Sequence, residues 1–239
     1  MLYHTKGIVF YKVKYSDTSY IIKVYTELFG LQSYLIRRSG NKKSLVKPTL
    51  IQPLTLVELV VYHKEKKEVQ HLKEIKIAYP FTSIHHDIRK SSVLIFLNEM
   101  LYMVIREQEL NPDLFRFLYN SIVSLDQFEN NISDFHLHFL MQLTKYIGFF
   151  PKNNFSQENS VFNLQEGVFT NQIALPEITI TSPFSDYFAG LINAEQKQFC
   201  VAPIHRQQLL EFLIQFYKFH VPDIKEIKSH HVLQSVLND

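Results

Sequence analysis

The sequence predicts an α+β protein in which a small five-stranded β-barrel is followed by an α-helical domain. Residues 7–78 alternate apolar and polar side chains with a period of two in several short runs, which is the pattern of half-buried strands. From about residue 80 the apolar residues recur with helical period instead. A chain of 239 residues suits one large domain or two modest ones. We therefore place the domains at residues 1–79 and 80–239.

Five runs of residues supply the predicted strands of the barrel. The first two flank the turn cluster Ser16-Asp17-Thr18, which indicates a hairpin. In the first strand we assign Val9, Tyr11, Val13 and Tyr15 to one face and the lysines to the other. The five runs cover residues 7–15, 20–26, 31–38, 54–62 and 69–77. Five short strands within about 75 residues favour an OB-fold.

Capping signals and apolar periodicity define the predicted helices. Asn111-Pro112-Asp113 combines an N-cap residue, a proline at the first helical position and an acid in the first turn. The preceding segment, Ile88 to Glu107, is apolar on nearly every side and is expected at the centre of a bundle. Ser133 is expected to cap a third helix. Residues 151–182 predict an irregular, cysteine-free insertion, and helices resume at 183–191, 204–219 and about 224–237.

The small net charge of +2 conceals a separation of charge between the two domains. Residues 1–79 hold 14 basic and 6 acidic side chains, a balance of +8, and the remaining residues carry a balance of −6. A basic module joined to an acidic body suggests that the module binds a polyanion. Short basic domains also arise without such a role, and a single lysine on an edge strand is commonly a solvated protection against aggregation.

Basic side chains on and after the first three strands are the candidate nucleic-acid contacts, because phosphates require cations distributed along a groove. We place three of these lysines on the outward face of adjacent strands and expect Tyr25 and Tyr34 to be exposed and able to stack on unpaired bases. The candidate DNA-binding residues are Lys6, Lys12, Lys14, Lys23, Arg37, Arg38, Lys42, Lys43 and Lys47.

The sequence contains no recognisable pattern for catalysis, a cofactor or a metal. The one cysteine, Cys200, excludes an internal disulfide and a multi-cysteine zinc site, and its apolar neighbours predict a buried thiol. His136 and His138 lie on a predicted helix, where residues two apart point about 200° apart. The six glycines form neither of the glycine-rich phosphate-binding motifs. We therefore predict no catalytic residues, no metal and no cofactor.

Short motifs along nearly the whole chain occur in an order that resembles a known protein family. At the N-terminus these are Thr5-Lys6-Gly7-Ile8-Val9, Tyr15-Ser16-Asp17-Thr18-Ser19, Tyr25-Thr26-Glu27-Leu28-Phe29-Gly30, the basic loop 37–44 and Leu50-Ile51-Gln52-Pro53-Leu54. At the C-terminus they are Arg206-Gln207-Gln208-Leu209-Leu210, Phe216-Tyr217, Lys228-Ser229 and Val232-Leu233. Each motif is short, but their order and spacing together resemble the RecO family of bacterial recombination mediators.

The resemblance implies an OB-fold that binds and anneals DNA strands, partnership with RecR and single-stranded DNA-binding protein (SSB), and help in loading RecA. Many family members carry a four-cysteine zinc site after the motif that corresponds here to Gly148-x-x-Pro151. This chain has no cysteine there, so zinc is expected to be absent. The insertion is expected to be held by its own apolar residues: Phe155, Val161, Phe162, Leu164 and Phe169. Arg206 and Lys218 are the candidate contacts for the acidic C-terminal tail of SSB.

The resulting hypothesis is a non-enzymatic DNA-binding mediator of recombinational repair. Its expected ligand is single-stranded DNA, with double-stranded DNA left open. Two alternatives remain: an OB-fold protein that binds RNA, and a protein-interaction adaptor that binds no nucleic acid. No apolar run reaches the roughly 18–20 residues of a membrane span, and the N-terminal segment has no apolar signal core. The expected location is therefore the cytoplasm, in association with the nucleoid.

Overall fold

The computed structural model describes residues 1–17, 19–37, 48–106, 109–129, 132–173, 175–194 and 199–237. The chain forms two compact units, Met1–Phe128 and Glu129–Asp239. Strands give way to helices after Ile77, as the sequence indicates, but the first two helices belong to the same compact unit as the strands. The domain boundary at residue 79 therefore stays a prediction. Within the described ranges, no helix is long and apolar enough to cross a membrane.

Five strands close into a barrel in the order β1-β2-β3-β5-β4, which confirms the predicted OB-fold. The strands are β1 (Leu2–Ser16), β2 (Ser19–Thr26), β3 (Gly30–Arg37), β4 (Leu56–Tyr62) and β5 (Val69–Ile77). Neighbouring strands are antiparallel except β3 and β5, which run parallel. The long strand β1 pairs with β4 from Leu2 to Ile8 and with β2 from Gly7 to Ser16. β1 therefore closes the barrel by pairing with both β2 and β4.

Aliphatic side chains from every strand fill the interior of the barrel. The buried cluster comprises Val9, Ile22, Val24, Tyr34, Ile36, Leu50, Ile51, Val57, Leu59, Val61 and Ile75. Gly7 leaves no room for a side chain, because a Cβ atom at this position would come within 2.6 Å of Val24 Cγ1. The interior is packed with side chains, so a polyanion can bind only to the outer surface of this barrel.

A β-bulge at Phe10 divides β1 into two halves. Val9 lies opposite Val24 and Tyr11 lies opposite Lys23, so Phe10 has no partner on β2. Because paired residues share a face, the extra residue exchanges the two faces of the strand. Val9 points into the barrel, whereas Tyr11 and Val13 lie on the other face. The prediction that Val9, Tyr11 and Val13 share one face was therefore wrong.

The first unit also contains α1 (Ile88–Val104) and α2 (Pro112–Gln127). The Asn111 side chain caps α2 by accepting a hydrogen bond from the Leu114 N–H at 2.9 Å, which confirms the predicted start. Helix α1 was expected at the centre of a bundle, and this was wrong. Its Ile95 is exposed, whereas other residues of the helix pack against α2 and β1.

Asp126, near the end of α2, binds the segment that leads from the barrel into the helices. Its carboxylate is almost fully buried and accepts three backbone hydrogen bonds of 2.9–3.0 Å, one each from Thr82, Ser83 and Ile84. The Thr82 hydroxyl donates another at 2.9 Å. The ammonium group of Lys90 donates to the backbone carbonyl of Asp126 at 2.8 Å. This network fixes α1 and α2 to residues 82–84, which directly follow the barrel.

The second unit combines four helices with a small sheet. The helices are α3 (Phe135–Tyr146), α4 (Phe184–Ile192), α5 (Pro203–His220) and α6 (Ser229–Leu237). The sheet, in the order β7-β6-β8, consists of β6 (Val161–Asn163), β7 (Val168–Thr170) and β8 (Thr179–Ile180), and it lies within the predicted insertion. The last helix begins at Ser229 rather than near residue 224, and Asp134, not Ser133, occupies the N-cap position of α3.

Apolar residues hold the insertion, as predicted, although they do so together with the neighbouring helices. Phe162, Leu164 and Phe169 are buried, and the Phe162 ring lies 4.8 Å from that of Phe188 in α4. Phe155 is partly exposed. Cys200 is also exposed, which corrects the prediction of a buried thiol. It lies in the segment before α5, where apolar neighbours in sequence do not determine burial.

We predict that Asp126→Asn lowers the free energy of unfolding by about 2–3 kcal/mol, because an amide replaces a charged acceptor of several hydrogen bonds. Burial alone would raise the pKa of Asp126, but the hydrogen bonds from Thr82, Ile84 and Ser83 outweigh it and hold the pKa well below its usual value. The stabilisation is therefore present above the unfolded pKa of about 3.9 and is lost as the pH falls below it.

Denaturant unfolding of Asp126→Asn and the parent protein between pH 3 and pH 7 measures this effect. The matched control is Asp113→Asn on the same helix, because the Asp113 carboxylate is exposed and only pairs with Arg116 at 3.1 Å. Equal stability of the two variants at pH 7 would contradict the role assigned to Asp126.

A second prediction concerns His136, which is buried in the second unit. Burial, with smaller contributions from Arg206 and His138, lowers its pKa to about 3. The unfolded chain binds more protons than the folded chain between this value and about 6.5, so stability should fall as the pH falls through that range. His136→Gln should flatten this dependence in unfolding experiments, whereas replacement of the exposed His231 should not.

Candidate nucleic-acid interface

The hairpin formed by β1 and β2 extends past the last residue of β1 that pairs with β4. Beyond Ile8, β1 pairs only with β2. Residues 12–17 are all exposed, so both faces of this outer part of β1 contact solvent. Lys14 forms an exposed ion pair with Asp17 at 2.8 Å, and the Ser16 and Ser19 hydroxyls lie 2.5 Å apart. These contacts tie the two ends of the turn together. We call residues 11–17 and 19–23 the β1–β2 hairpin.

The bulge separates the cations of the β1–β2 hairpin into two groups. Lys12 and Lys14 lie opposite Ile22 and Tyr20, on the face that continues the barrel interior. Lys23 lies opposite Tyr11, whose ring contacts that of Tyr102 in α1 at 4.5 Å, and it is half-buried. The prediction that the three lysines share one outward face was therefore wrong. Lys12 and Lys14 are both exposed and lie on the same face of β1.

Lys6 lies in a different part of the barrel surface. Its ammonium group lies 5.4 Å from the centre of the Tyr119 ring of α2. Lys6 is opposite Glu58 on β4 and lines a groove of about 380 Å³ that also contains Glu27 and Glu74. The groove is also lined by Lys76, whose ammonium group pairs with Glu74 at 2.8 Å, so its three carboxylates outnumber its two lysines and do not favour the binding of a phosphate. Lys6 is therefore the weakest of the described candidates.

The remaining candidate cations follow β3. Arg37 is the last residue of that strand, where its backbone pairs with Ser19. The Arg37 side chain and the residues Arg38, Lys42, Lys43 and Lys47 lie outside the described part of the chain. Since Ser19 follows the turn of the β1–β2 hairpin, the chain enters the basic loop beside this hairpin. The contribution of these five basic residues to DNA binding stays a prediction.

Tyr25 and Tyr34 cannot stack on bases, because both are buried, with 1% and 0% of their surface exposed. Tyr34 belongs to the barrel core, and the Tyr25 ring lies 6.2 Å from that of Phe115 in α2. The aromatic side chain available on the β1–β2 hairpin is instead Tyr15, which is 66% exposed. The turn signal at residues 16–18 in the sequence points to Tyr15, since a residue beside a hairpin turn lies at the end of the strands, where few other residues cover it.

The turn between β4 and β5 carries further exposed cations that were not among the predicted contacts. Lys64, Lys66 and Lys67 are exposed, together with two glutamates. The buried Gln70 side chain donates hydrogen bonds to the carbonyls of Lys64 and Lys67 at 2.8 and 2.7 Å, which fixes the turn. This turn adjoins the start of β1, because the His63 N–H donates to the Met1 carbonyl. It is therefore at the opposite end of the barrel from the β1–β2 hairpin.

Arg206 and Lys218 are twelve residues apart on α5, which corresponds to about 18 Å along the helix axis. Arg206 donates to the Asp134 carboxylate at 2.7 Å, with both side chains largely buried, and Asp134 also accepts the Val201 N–H at 3.0 Å. Lys218 is exposed. Arg206 thus has a structural partner within the second unit, and its role in binding an acidic peptide stays a prediction.

Potential metal ligands are dispersed in the described part of the chain, where no three His, Cys, Asp or Glu side chains form a group able to hold an ion. His138 hydrogen-bonds to the Phe199 carbonyl at 2.7 Å, and His220 to the Leu164 carbonyl at 3.0 Å. Both rings therefore have structural partners. The site that the candidate lysines define is a basic hairpin on an OB-fold barrel, in which the outer part of β1 is exposed on both faces. Such a surface can bind a polyanion through charge.

Comparison with known proteins identifies the family. The family model described as "Recombination protein O N terminal" matches residues 1–81, and "Recombination protein O C terminal" matches residues 85–157. A protein of Flavobacterium psychrophilum named "DNA repair protein RecO" is 37% identical over 238 residues, with 98% of each chain covered. One of the same name from Bacteroides fragilis is 34% identical over 244 residues and the full length of both chains. The chain belongs to the RecO family.

Proposed function

We propose that this chain acts in DNA repair by binding DNA strands on the outer surface of its barrel and promoting their annealing. Family membership supports the repair role, and the observation that carries the binding site is the β1–β2 hairpin with its exposed Lys12 and Lys14. Annealing requires the charge of two phosphate backbones to be reduced while the strands are held close together. No bond is made or broken, so the proposal needs no catalytic residue.

The β1–β2 hairpin suits phosphate binding because its lysines are not held by strong internal partners. The ion pair between Lys14 and Asp17 is largely exposed on both sides, and such pairs contribute little stability. A phosphate can therefore replace Asp17 at little cost. Lys12 lies two residues earlier on the same face, about 7 Å away along the strand. The two ammonium groups can contact successive positions of one backbone.

The partners proposed for this chain are RecR, SSB and, through them, RecA. These assignments rest on family membership. We further propose that the acidic tail of SSB binds to the second unit, with Lys218 as a contact. Annealing of SSB-coated complementary strands, measured with and without RecR, tests the mediator role. Failure to anneal such strands under either condition would contradict it.

The two alternative functions give different results in binding experiments. A protein that binds RNA would prefer an RNA oligonucleotide over the DNA strand of the same sequence in direct competition. An adaptor protein would show no affinity for either strand even at low salt, because its basic surface would bind an acidic protein instead. Preference for DNA over RNA, with binding that weakens as salt rises, supports the proposed function.

We predict that Lys12→Glu combined with Lys14→Glu weakens binding of single-stranded DNA at least tenfold without loss of fold. Each phosphate contact contributes about 0.7 to the slope of log affinity against log salt for single strands, so the slope should become less steep by about 1.4. Fluorescence anisotropy at several salt concentrations measures both quantities.

The matched control is Lys152→Glu combined with Lys225→Glu, which makes the same change of net charge at exposed lysines of the second unit. An equal loss of affinity in both double variants would show that binding depends on net charge alone, and this would contradict the assignment of the site to the β1–β2 hairpin.

A further inference from the structure

We propose that Tyr15 stacks on an unpaired base, so that the β1–β2 hairpin distinguishes single-stranded from double-stranded DNA. This inference rests on the proposed function, because it assigns a contact within the same site. It concerns a different part of the ligand, since the lysines contact phosphates and Tyr15 contacts a base. Only the base contact depends on whether the strand is paired.

The first support is the exposure of apolar surface on the outer part of β1, which pairs with β2 only. Tyr15 is 66% exposed and Val13 is 49% exposed, on a strand segment in which every residue from 12 to 17 is exposed. The aromatic rings of the same two strands that lie nearer the barrel are occupied. Tyr11 contacts Tyr102, and Tyr25 contacts Phe10 and Phe115. In the part of the chain that the structure describes, no ring packs against Tyr15.

The second support is the position of Tyr15 next to Lys14 and close to Lys12. Lys12 and Tyr15 are about 10 Å apart along the strand. Tyr15 has no partner on β2, because Lys14 lies opposite Tyr20 and Ser16 lies opposite Ser19. This second irregularity interrupts the alternation of faces between Lys14 and Tyr15. Since residues 12–17 are all exposed, one DNA strand at the end of β1 can contact the lysines through its phosphates and the tyrosine ring through a base. Tyr20, which lies opposite Lys14 on the neighbouring strand, is half-buried and offers less ring surface.

The third support is the hydrogen bonding at the strand ends next to the ring. Ser16 pairs with Ser19 between β1 and β2, and the hydroxyls of these two serines hydrogen-bond to each other. These local contacts position the end of the β1–β2 hairpin before the ligand arrives, so less conformational entropy is lost on binding. In a duplex both faces of each internal base are already stacked, and the ring has no comparable surface to contact.

The test compares Tyr15→Ala and Tyr15→Phe with the parent protein. Binding of an oligothymidine strand and of a duplex of equal length is measured by fluorescence anisotropy over a range of salt. One base stacked on an aromatic ring corresponds to roughly tenfold in affinity. We expect Tyr15→Ala to weaken single-strand binding about tenfold with an unchanged salt slope and unchanged duplex binding. Tyr15→Phe should bind as the parent does.

The matched control is Tyr62→Ala, which removes another partly exposed tyrosine at the opposite end of the barrel. It should leave both affinities unchanged. Thermal unfolding establishes that the variants fold, as expected for exposed positions. Photocrosslinking of a bromouracil-substituted strand, followed by mass spectrometry, should identify Tyr15 as a modified residue.

Two results would overturn the stacking role. Unchanged single-strand affinity in Tyr15→Ala would show that the ring makes no contact. Equal weakening for single strands and duplexes, with a less steep salt slope, would show that Tyr15 only positions the lysines. If the parent protein bound neither ligand, the proposed function itself would fail, so the two failures are distinguishable.

Discussion

The closure of the barrel depends on β1, which is long enough to pair with β4 at one end and with β2 at the other. At the point of exchange, the Val9 N–H donates to the Thr55 carbonyl at 3.0 Å, and the Leu54 N–H donates to the Val9 carbonyl. The bulge at Phe10 directly follows. A strand that continued in register would keep Val9 and Val13 on the same face, whereas the bulge leaves Val9 in the core and Val13 in solvent. The exposed β1–β2 hairpin is therefore a consequence of how the barrel closes.

Much of the fold could be predicted from the sequence because it depends on local patterns. Alternating side chains located all five strands, and the chemistry of Asn111 and Pro112 located the start of α2. The faces of β1 could not be predicted in the same way. Ile8, Val9 and Phe10 are all apolar and all buried, so nothing in this run shows which residue lacks a partner on β2.

The candidate site was predicted in part for the same reason. Basic residues are visible in any sequence, but the face they occupy depends on the register between strands. Tyr25 resembles an exposed strand residue until α2 covers that side of the barrel with Phe115. Asp126 shows the limit most clearly. Its hydrogen-bond partners precede it by more than 40 residues, and no local signal marks an aspartate near a helix end as an acceptor for a distant loop.

The arrangement separates the residues that stabilise the first unit from those proposed to bind DNA. The barrel core and the Asp126 network involve buried groups, whereas Lys12, Lys14 and Tyr15 contribute nothing to either. A site of this kind can gain or lose a contact without a change in folding. It also leaves both faces of the outer half of β1 accessible to ligands. Such a surface would hold DNA strands only through phosphate contacts and single stacked bases. When two strands pair, their bases stack on one another and no longer stack on the protein. The remaining phosphate contacts exchange with salt ions, so the paired strands can be released.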